Sequence, residues 1–180
     1  MKPTLLVVDM QKVFARNEWH VFDIEKITGN VVKLCRTFES DAIFTCHLSN
    51  QDAPGTWQSY NSQFAYLEKD RSNWELISDL VSYAKTVVEK FTYSCFHSDE
   101  FTKLIAGRAD ISFIIAGVET EFCVLGAILD AVDAGYHVTL AVDAIGGEVP
   151  ALNDAVIEIC RKMPAQVTLK TTDEIIRDMG

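Results

Sequence analysis

Three residues whose types can do chemistry together each stand just past a β-rich run: the acid Asp9 after Leu5 to Val8, the cation Lys90 after Thr86 to Glu89, and the thiol Cys123 a glycine turn beyond Ile111 to Ala116. A thiol becomes a nucleophile when one group takes its proton and a positive field holds the thiolate, and an acid and a lysine supply both. Cys123 also stands where a helical pattern starts. Backbone N–H groups at a helix start favour a thiolate and can receive an oxyanion. Each residue has an ordinary alternative as well: Asp9 as a turn cap, Lys90 as one solvated cation among sixteen Lys and Arg, Cys123 as core filler beside Val124 and Leu125.

The elements that must position these residues alternate. Short β-rich runs occur at Thr4 to Val8, Ala42 to Cys46, Thr86 to Glu89, Ile111 to Ala116, His137 to Val142 and Gln166 to Leu169. Helical patterns lie between them at Ile27 to Phe38, Ser72 to Val81, Asp99 to Ile105, Glu121 to Ala134 and Ala151 to Met163. Ser72 with Glu75 reads as a capping box, Pro150 suits a first helical turn, and Gly135 ends the helix that Cys123 opens. Alternating β and α segments predict an α/β fold, a three-layer sandwich around a doubly wound, mostly parallel six-stranded sheet of Rossmann-like type. Residues just past the C-terminal ends of such strands border the ligand crevice, which is where Asp9, Lys90 and Cys123 fall.

A chain of 180 residues fits one domain spanning 1–180. A formal charge of −10 with no local Lys/Arg cluster disfavours nucleic acid and anionic lipid as partners. Five widely spaced cysteines without a C-x-x-C pair suggest neither a disulfide framework nor a zinc ribbon, and fit a reducing cytoplasm. The apolar run at Leu5 to Val8 is too short for a signal peptide or membrane span, so a soluble, unprocessed chain is expected. No glycine-rich phosphate-binding pattern occurs, so no nucleotide cofactor is expected.

Three fragments carry a family resemblance. Leu6-Val7-Val8-Asp9-Met10-Gln11 looks like the opening strand and acid, Lys90-Phe91-Thr92-Tyr93-Ser94-Cys95-Phe96 like the lysine block, and Gly117-Val118-Glu119-Thr120-Glu121-Phe122-Cys123-Val124 like the nucleophile motif of the isochorismatase-like cysteine hydrolases, which include nicotinamidases and N-carbamoyl amide hydrolases. The resemblance covers nearly the whole chain. It implies a catalytic triad of Asp9, Lys90 and Cys123, a cis peptide between Val118 and Glu119, and an oxyanion hole from the backbone N–H groups of Glu119 and Cys123. The implied reaction is hydrolysis of a small amide, ureide or carbamoyl C–N bond through a Cys123 thioester. Two alternatives stay open: an isochorismatase-type enol-ether hydrolase, and a silent member of the fold that binds a metabolite or protein.

The sequence also departs from relatives. Metal-dependent nicotinamidases carry an Asp-x-His pair where this chain has His47 and Ser49, so the resemblance implies no metal site and no cofactor here. Phe14 sits where the family often has a pocket aromatic, and His47, Trp57 and Phe64 are candidate substrate contacts. The stretch His47 to Arg71, with Trp57, Tyr60, Phe64 and Tyr66 and with Trp74 beyond, could line a pocket or bury a subunit interface, and family members are often dimers or larger. Paired glycines at Gly146-Gly147 allow close approach, a mobile lid or an ordinary turn.

Overall fold

The computed structural model describes residues 3–16, 18–39, 42–108 and 112–180. Six strands, β1 (Thr4–Val8), β2 (Ala42–His47), β3 (Thr86–Lys90), β4 (Ser112–Val118), β5 (His137–Gly146) and β6 (Val167–Lys170), form one sheet in the order β3-β2-β1-β4-β5-β6. Every strand pair in it is parallel. Ile111, expected to open the fourth strand, lies outside the described residues. β1 is buried along its whole length and β4 nearly so, as apolar runs covered on both faces must be. Among the described residues six α-helices accompany the sheet: α1 (Ile24–Phe38), α2 (Thr56–Gln63), α3 (Asp99–Ile105), α4 (Leu125–Asp133), α5 (Pro150–Arg161) and α6 (Thr172–Met179). Two apolar clusters result. One centres on Leu5, Val7, Phe44, Leu34 and Phe38, and the other on Leu6, Ile115, Phe113, Ile128 and Leu140, the residues of β1 alternating between them.

The α/β expectation is met, and the strand order explains why the site falls where it does. From β1 the chain winds outward to β3, then returns to β4 on the other side of β1 and winds the opposite way. The sheet therefore reverses direction between β1 and β4, the crevice position in doubly wound sheets. Asp9 leaves β1 and Cys123 follows β4, so the acid and the thiol straddle that reversal.

Four expectations need correction. The helix expected over Ser72 to Val81 is instead two 3-10 turns, Arg71–Trp74 and Ser78–Leu80. The Asp70 side chain caps the first by accepting from Ser72 N at 3.0 Å, and backbone bonds from Lys12 to Glu75 and from Ile77 to Met10 hold the segment against the chain leaving β1. Within His47 to Arg71, expected to be irregular, lies the helix α2, which buries only Asn61 and so has no apolar stripe to betray it. β5 runs on to Gly146, through the segment expected as a turn, and the glycines there serve close approach. A Cβ on Gly146 would lie 2.3 Å from Ile27 Cδ1, and one on Gly147 would lie 1.8 Å from Glu121 Oε2. Finally, α6 was not anticipated, although Thr171 and Glu174 form a complete capping box at its start.

Candidate active site

Each chemical side chain is aimed by its strand. Asp9 is the first residue past β1, turned by a left-handed backbone (φ 48°) that L residues other than Asn and Asp seldom adopt. Its N–H donates to Thr45 O on β2 at 3.2 Å, and the Thr45 hydroxyl donates to Asp9 Oδ1 at 2.6 Å. Lys90 ends β3. Side chains alternate along a strand, and the buried positions of β3 are Val88 and Lys90, so parity sends the lysine inward while Val87 and Glu89 face solvent. Cys123 sits in a π-helical turn, Thr120–Val124, between the end of β4 and the start of α4. That turn is anchored by the carbonyl of Glu119, which accepts from Phe122 N at 3.2 Å and Val124 N at 3.0 Å. Gly117, just before it, has φ 117°, and a Cβ there would lie 2.1 Å from the Val8 carbonyl oxygen. Only glycine permits β4 to approach β1 so closely at this point.

The three groups meet. Lys90 Nζ lies 2.6 Å from Asp9 Oδ2, donates to Cys123 Sγ at 3.4 Å and donates to Thr92 O at 3.0 Å. Asp9 and Lys90 are 0% and 1% exposed and Cys123 is 4% exposed. A buried ion pair of this kind tolerates its desolvation only because each charge has close partners. Burial opposes the ammonium charge of Lys90, but Asp9 and Cys123 outweigh it and hold its pKa above the ordinary value. The thiol behaves differently from the sequence expectation. Burial pushes Cys123 well above the usual thiol range, Asp9 adds to the rise, and Lys90 only partly offsets both. The resting group is a thiol, and the helix start does not ionise it.

Tyr60 and Tyr93, whose phenols interact electrostatically with Cys123, belong to an aromatic wall. Trp19 is its hub, with ring centroids 5.8 Å from Phe14, 6.2 Å from Tyr60, 5.0 Å from Phe64, 6.1 Å from Trp74 and 6.5 Å from His47. Trp57 reaches His47 at 6.4 Å and Tyr93 at 4.9 Å, and Tyr93 stacks on Phe122 at 5.3 Å. His47 ends β2, and burial followed by the Lys90 charge pushes its pKa down to about 4, so the ring is neutral. Glu119 is almost closed off, and burial, then Glu121, Glu148 and Asp9, push its carboxyl up to about 8.

Residues 3–172 match the isochorismatase domain family. The chain belongs to that family. It is 26% identical over 176 residues to isochorismatase family protein 1A of Dictyostelium discoideum, a match covering 95% of this chain and 75% of that protein. Its fold resembles that of a cysteine hydrolase from Pseudomonas syringae pv. phaseolicola 1448A, with TM-score 0.80 at 23% identity over 98% of this chain and 92% of the other. An N-carbamoylsarcosine amidase from Thermoplasma acidophilum shares it too, with TM-score 0.75 at 21% identity over 96% and 98% of the two chains. The isochorismatase family is hydrolytic, which sets the class of chemistry for this chain.

Within this isochorismatase-family fold, the sequence-predicted Asp9, Lys90 and Cys123 are brought into one cluster, and the peptide between Val118 and Glu119 is cis. His47, Trp57 and Phe64 join the aromatic wall, whereas Phe14 is buried in the core and reaches the wall through Trp19. Among the described residues no group of three or more His, Cys, Asp and Glu side chains is arranged to hold a metal ion, and no helix is long and apolar enough to cross a membrane. Sequence reasoning gave no role to Thr45, Gln11 or Trp19. Gln11 clamps the ends of two strands, donating to His47 O at 3.0 Å and Trp74 O at 2.9 Å and accepting from His47 N at 2.8 Å. Its signal was present as a polar residue two places past the acid of the motif. Trp19, a lone aromatic in a stretch without periodicity, offered none.

Proposed function

We propose that the chain is a cysteine hydrolase that cleaves the C–N bond of a small amide, ureide or carbamoyl compound using Asp9, Lys90 and Cys123. The observation that carries the reading is one ammonium, Lys90 Nζ, set 2.6 Å from a buried carboxylate and 3.4 Å from a buried thiol. In this reading Asp9 takes the Cys123 proton as the sulfur attacks the substrate carbonyl carbon, and the C=O electron pair becomes an oxyanion held by the N–H groups of Glu119 and Cys123. Asp9 then gives that proton to the departing nitrogen, the C–N bond breaks, and a thioester remains. Water, losing its proton to Asp9, adds to the thioester. The acid is released as the sulfur leaves and recovers a proton.

The test is a screen of small amides and ureides with mass spectrometry of the quenched enzyme. An acyl adduct on the Cys123 peptide, absent from Cys123→Ala, is expected, with Asp9→Asn slowing turnover about 10²- to 10⁴-fold, the usual range for a general acid–base. Turnover that survives Cys123→Ala but not Asp9→Asn would overturn the thioester route in favour of enol-ether chemistry. All five cysteines are buried, so selective reaction at Cys123 would reflect its chemistry and not exposure alone.

A further inference from the structure

Thr45 lies on β2, fully buried, and among the described residues its hydroxyl bonds to Asp9 alone. The Asp9 N–H donates to Thr45 Oγ1 at 3.2 Å, and the Thr45 O–H donates to Asp9 Oδ1 at 2.6 Å. The other carboxylate oxygen keeps different company. Oδ2 meets the Lys90 ammonium at 2.6 Å as an ion contact and accepts no aligned hydrogen bond. The same ammonium donates to Cys123 Sγ at 3.4 Å, so Oδ2 is the oxygen that shares a cation with the sulfur. A proton placed on Oδ1 would turn the Thr45 hydroxyl away from its acceptor and leave a buried O–H unpaired. A proton placed on Oδ2 disturbs neither hydrogen bond.

We propose that Thr45 is a positioning residue for proton exchange between Cys123 and Asp9: it holds Oδ1 as an acceptor, assigns the travelling proton to Oδ2, and weights the exchange toward thiol and carboxylate. This inference rests on the cysteine-hydrolase reading above. In the first transfer the S–H bond breaks, its electron pair stays on sulfur, and the proton bonds to Oδ2. In the second the Oδ2–H bond breaks, and the substrate nitrogen, leaving with the C–N electron pair, takes the proton. A donated hydrogen bond is stronger to a carboxylate than to a neutral carboxyl. Thr45 therefore opposes the first transfer and assists the second, which lets one group serve as base and then as acid. The direction agrees with a sulfur that is protonated at rest.

The test removes the donor and reads the sulfur. Initial rates of iodoacetamide labelling at the Cys123 peptide are measured by mass spectrometry at pH 7 in wild type, Thr45→Val and Thr45→Ser. Loss of the hydroxyl is expected to make Cys123 label faster, by about five- to tenfold, the difference between a hydrogen bond to a charged group and one to a neutral group. Thr45→Ser keeps the hydroxyl and should return the rate to within about twofold of wild type. A looser site would also label faster, so the comparison is repeated with Asp9→Asn, where no carboxylate remains for the donor to act on. There Thr45→Val is expected to change the rate by less than about twofold. Should Thr45→Val not fold, Thr45→Ala removes the same donor and is expected to move the rate in the same direction. Unchanged or slower labelling, a Thr45→Ser rate equal to that of Thr45→Val, or an increase that persists with Asp9→Asn would each overturn the role of Thr45 and leave the nucleophile standing. Wild-type Cys123 that labels no faster than the other buried cysteines would overturn the nucleophile itself, and this inference with it.

Discussion

Replacing Glu119 by Gln should remove the part of the pH-dependent loss of stability that this carboxyl contributes as pH rises. The wild-type carboxyl is pushed from an ordinary 4.5 up to about 8, first by burial and then by Glu121, Glu148 and Asp9. A folded pKa above the unfolded one means that the native state holds the proton more tightly. The stabilising contribution is therefore complete below pH 4.5, declines as pH rises through the interval, and is gone above about pH 8. The whole interval corresponds to about 5 kcal/mol at ~1.4 kcal/mol per pKa unit. Glu148 is exposed and screened, so ~3 kcal/mol is the difference to look for. Gln keeps the shape, offers N–H donors in place of the carboxyl O–H, and does not titrate. Urea unfolding at pH 5, 7 and 9, compared between wild type and Glu119→Gln, should show the variant gaining ~3 kcal/mol on the wild type from pH 5 to pH 9, since all other groups titrate alike in both proteins. A difference that stays constant across that range would refute the claim that Glu119 is held protonated in the folded site.

Three further outcomes follow from the same geometry. Gly117→Ala should destabilise by more than ~3 kcal/mol or prevent folding, measured by urea unfolding, because its Cβ would meet backbone atoms of Val8 at 2.1 and 2.6 Å with φ at 117°. Lys90→Met leaves Asp9 buried without its cation and should cost about 3–5 kcal/mol of stability at pH 7, together with loss of selective Cys123 labelling. His47, held at about 4 against an ordinary 6.5, binds its proton more weakly when folded, so stability should be lost as pH falls through that interval. The loss should approach about 3 kcal/mol, and the part due to this residue should vanish in His47→Gln.

Much of the site was legible because strands advertise their ends. Asp9, Lys90 and Cys123 each stand at or just past the end of a β-rich run, and in a doubly wound parallel sheet that position is the crevice. The inward aim of Lys90 is legible as well, from parity with Val88. Elements whose form depends on distant partners were not legible. Ser72 with Glu75 satisfies a local capping rule, yet Arg16 binds Ser72 Oγ at 2.6 Å and Asp70 binds Ser72 N, and the segment is drawn onto the β1 exit instead of extending as a helix. α2 is polar almost throughout, and its Trp57 and Tyr60 pack against each other and against rings supplied by other parts of the chain. The pKa of Cys123 was misjudged for a related reason. The helix start is a local feature, whereas the burial that dominates is a property of the closed fold.

A thiol held above its usual range would be a poor nucleophile alone, and in the proposed reaction the buried ion pair is what would change that. At rest Lys90 is paired with Asp9 and touches the sulfur. When the proton moves from Cys123 to Asp9, the carboxyl becomes neutral and the sulfur becomes the anion, so Lys90 exchanges one anionic partner for another without moving. The number of buried charges is the same before and after, and no new desolvation is incurred as the sulfur becomes nucleophilic. That exchange is sensitive to any further charge placed directly beside it. An added anion would compete with the sulfur for Lys90, and an added cation would compete with Lys90 for the carboxylate. A charged substitution at His47, a buried residue that already feels the Lys90 charge, should therefore slow the proton exchange even for a neutral amide.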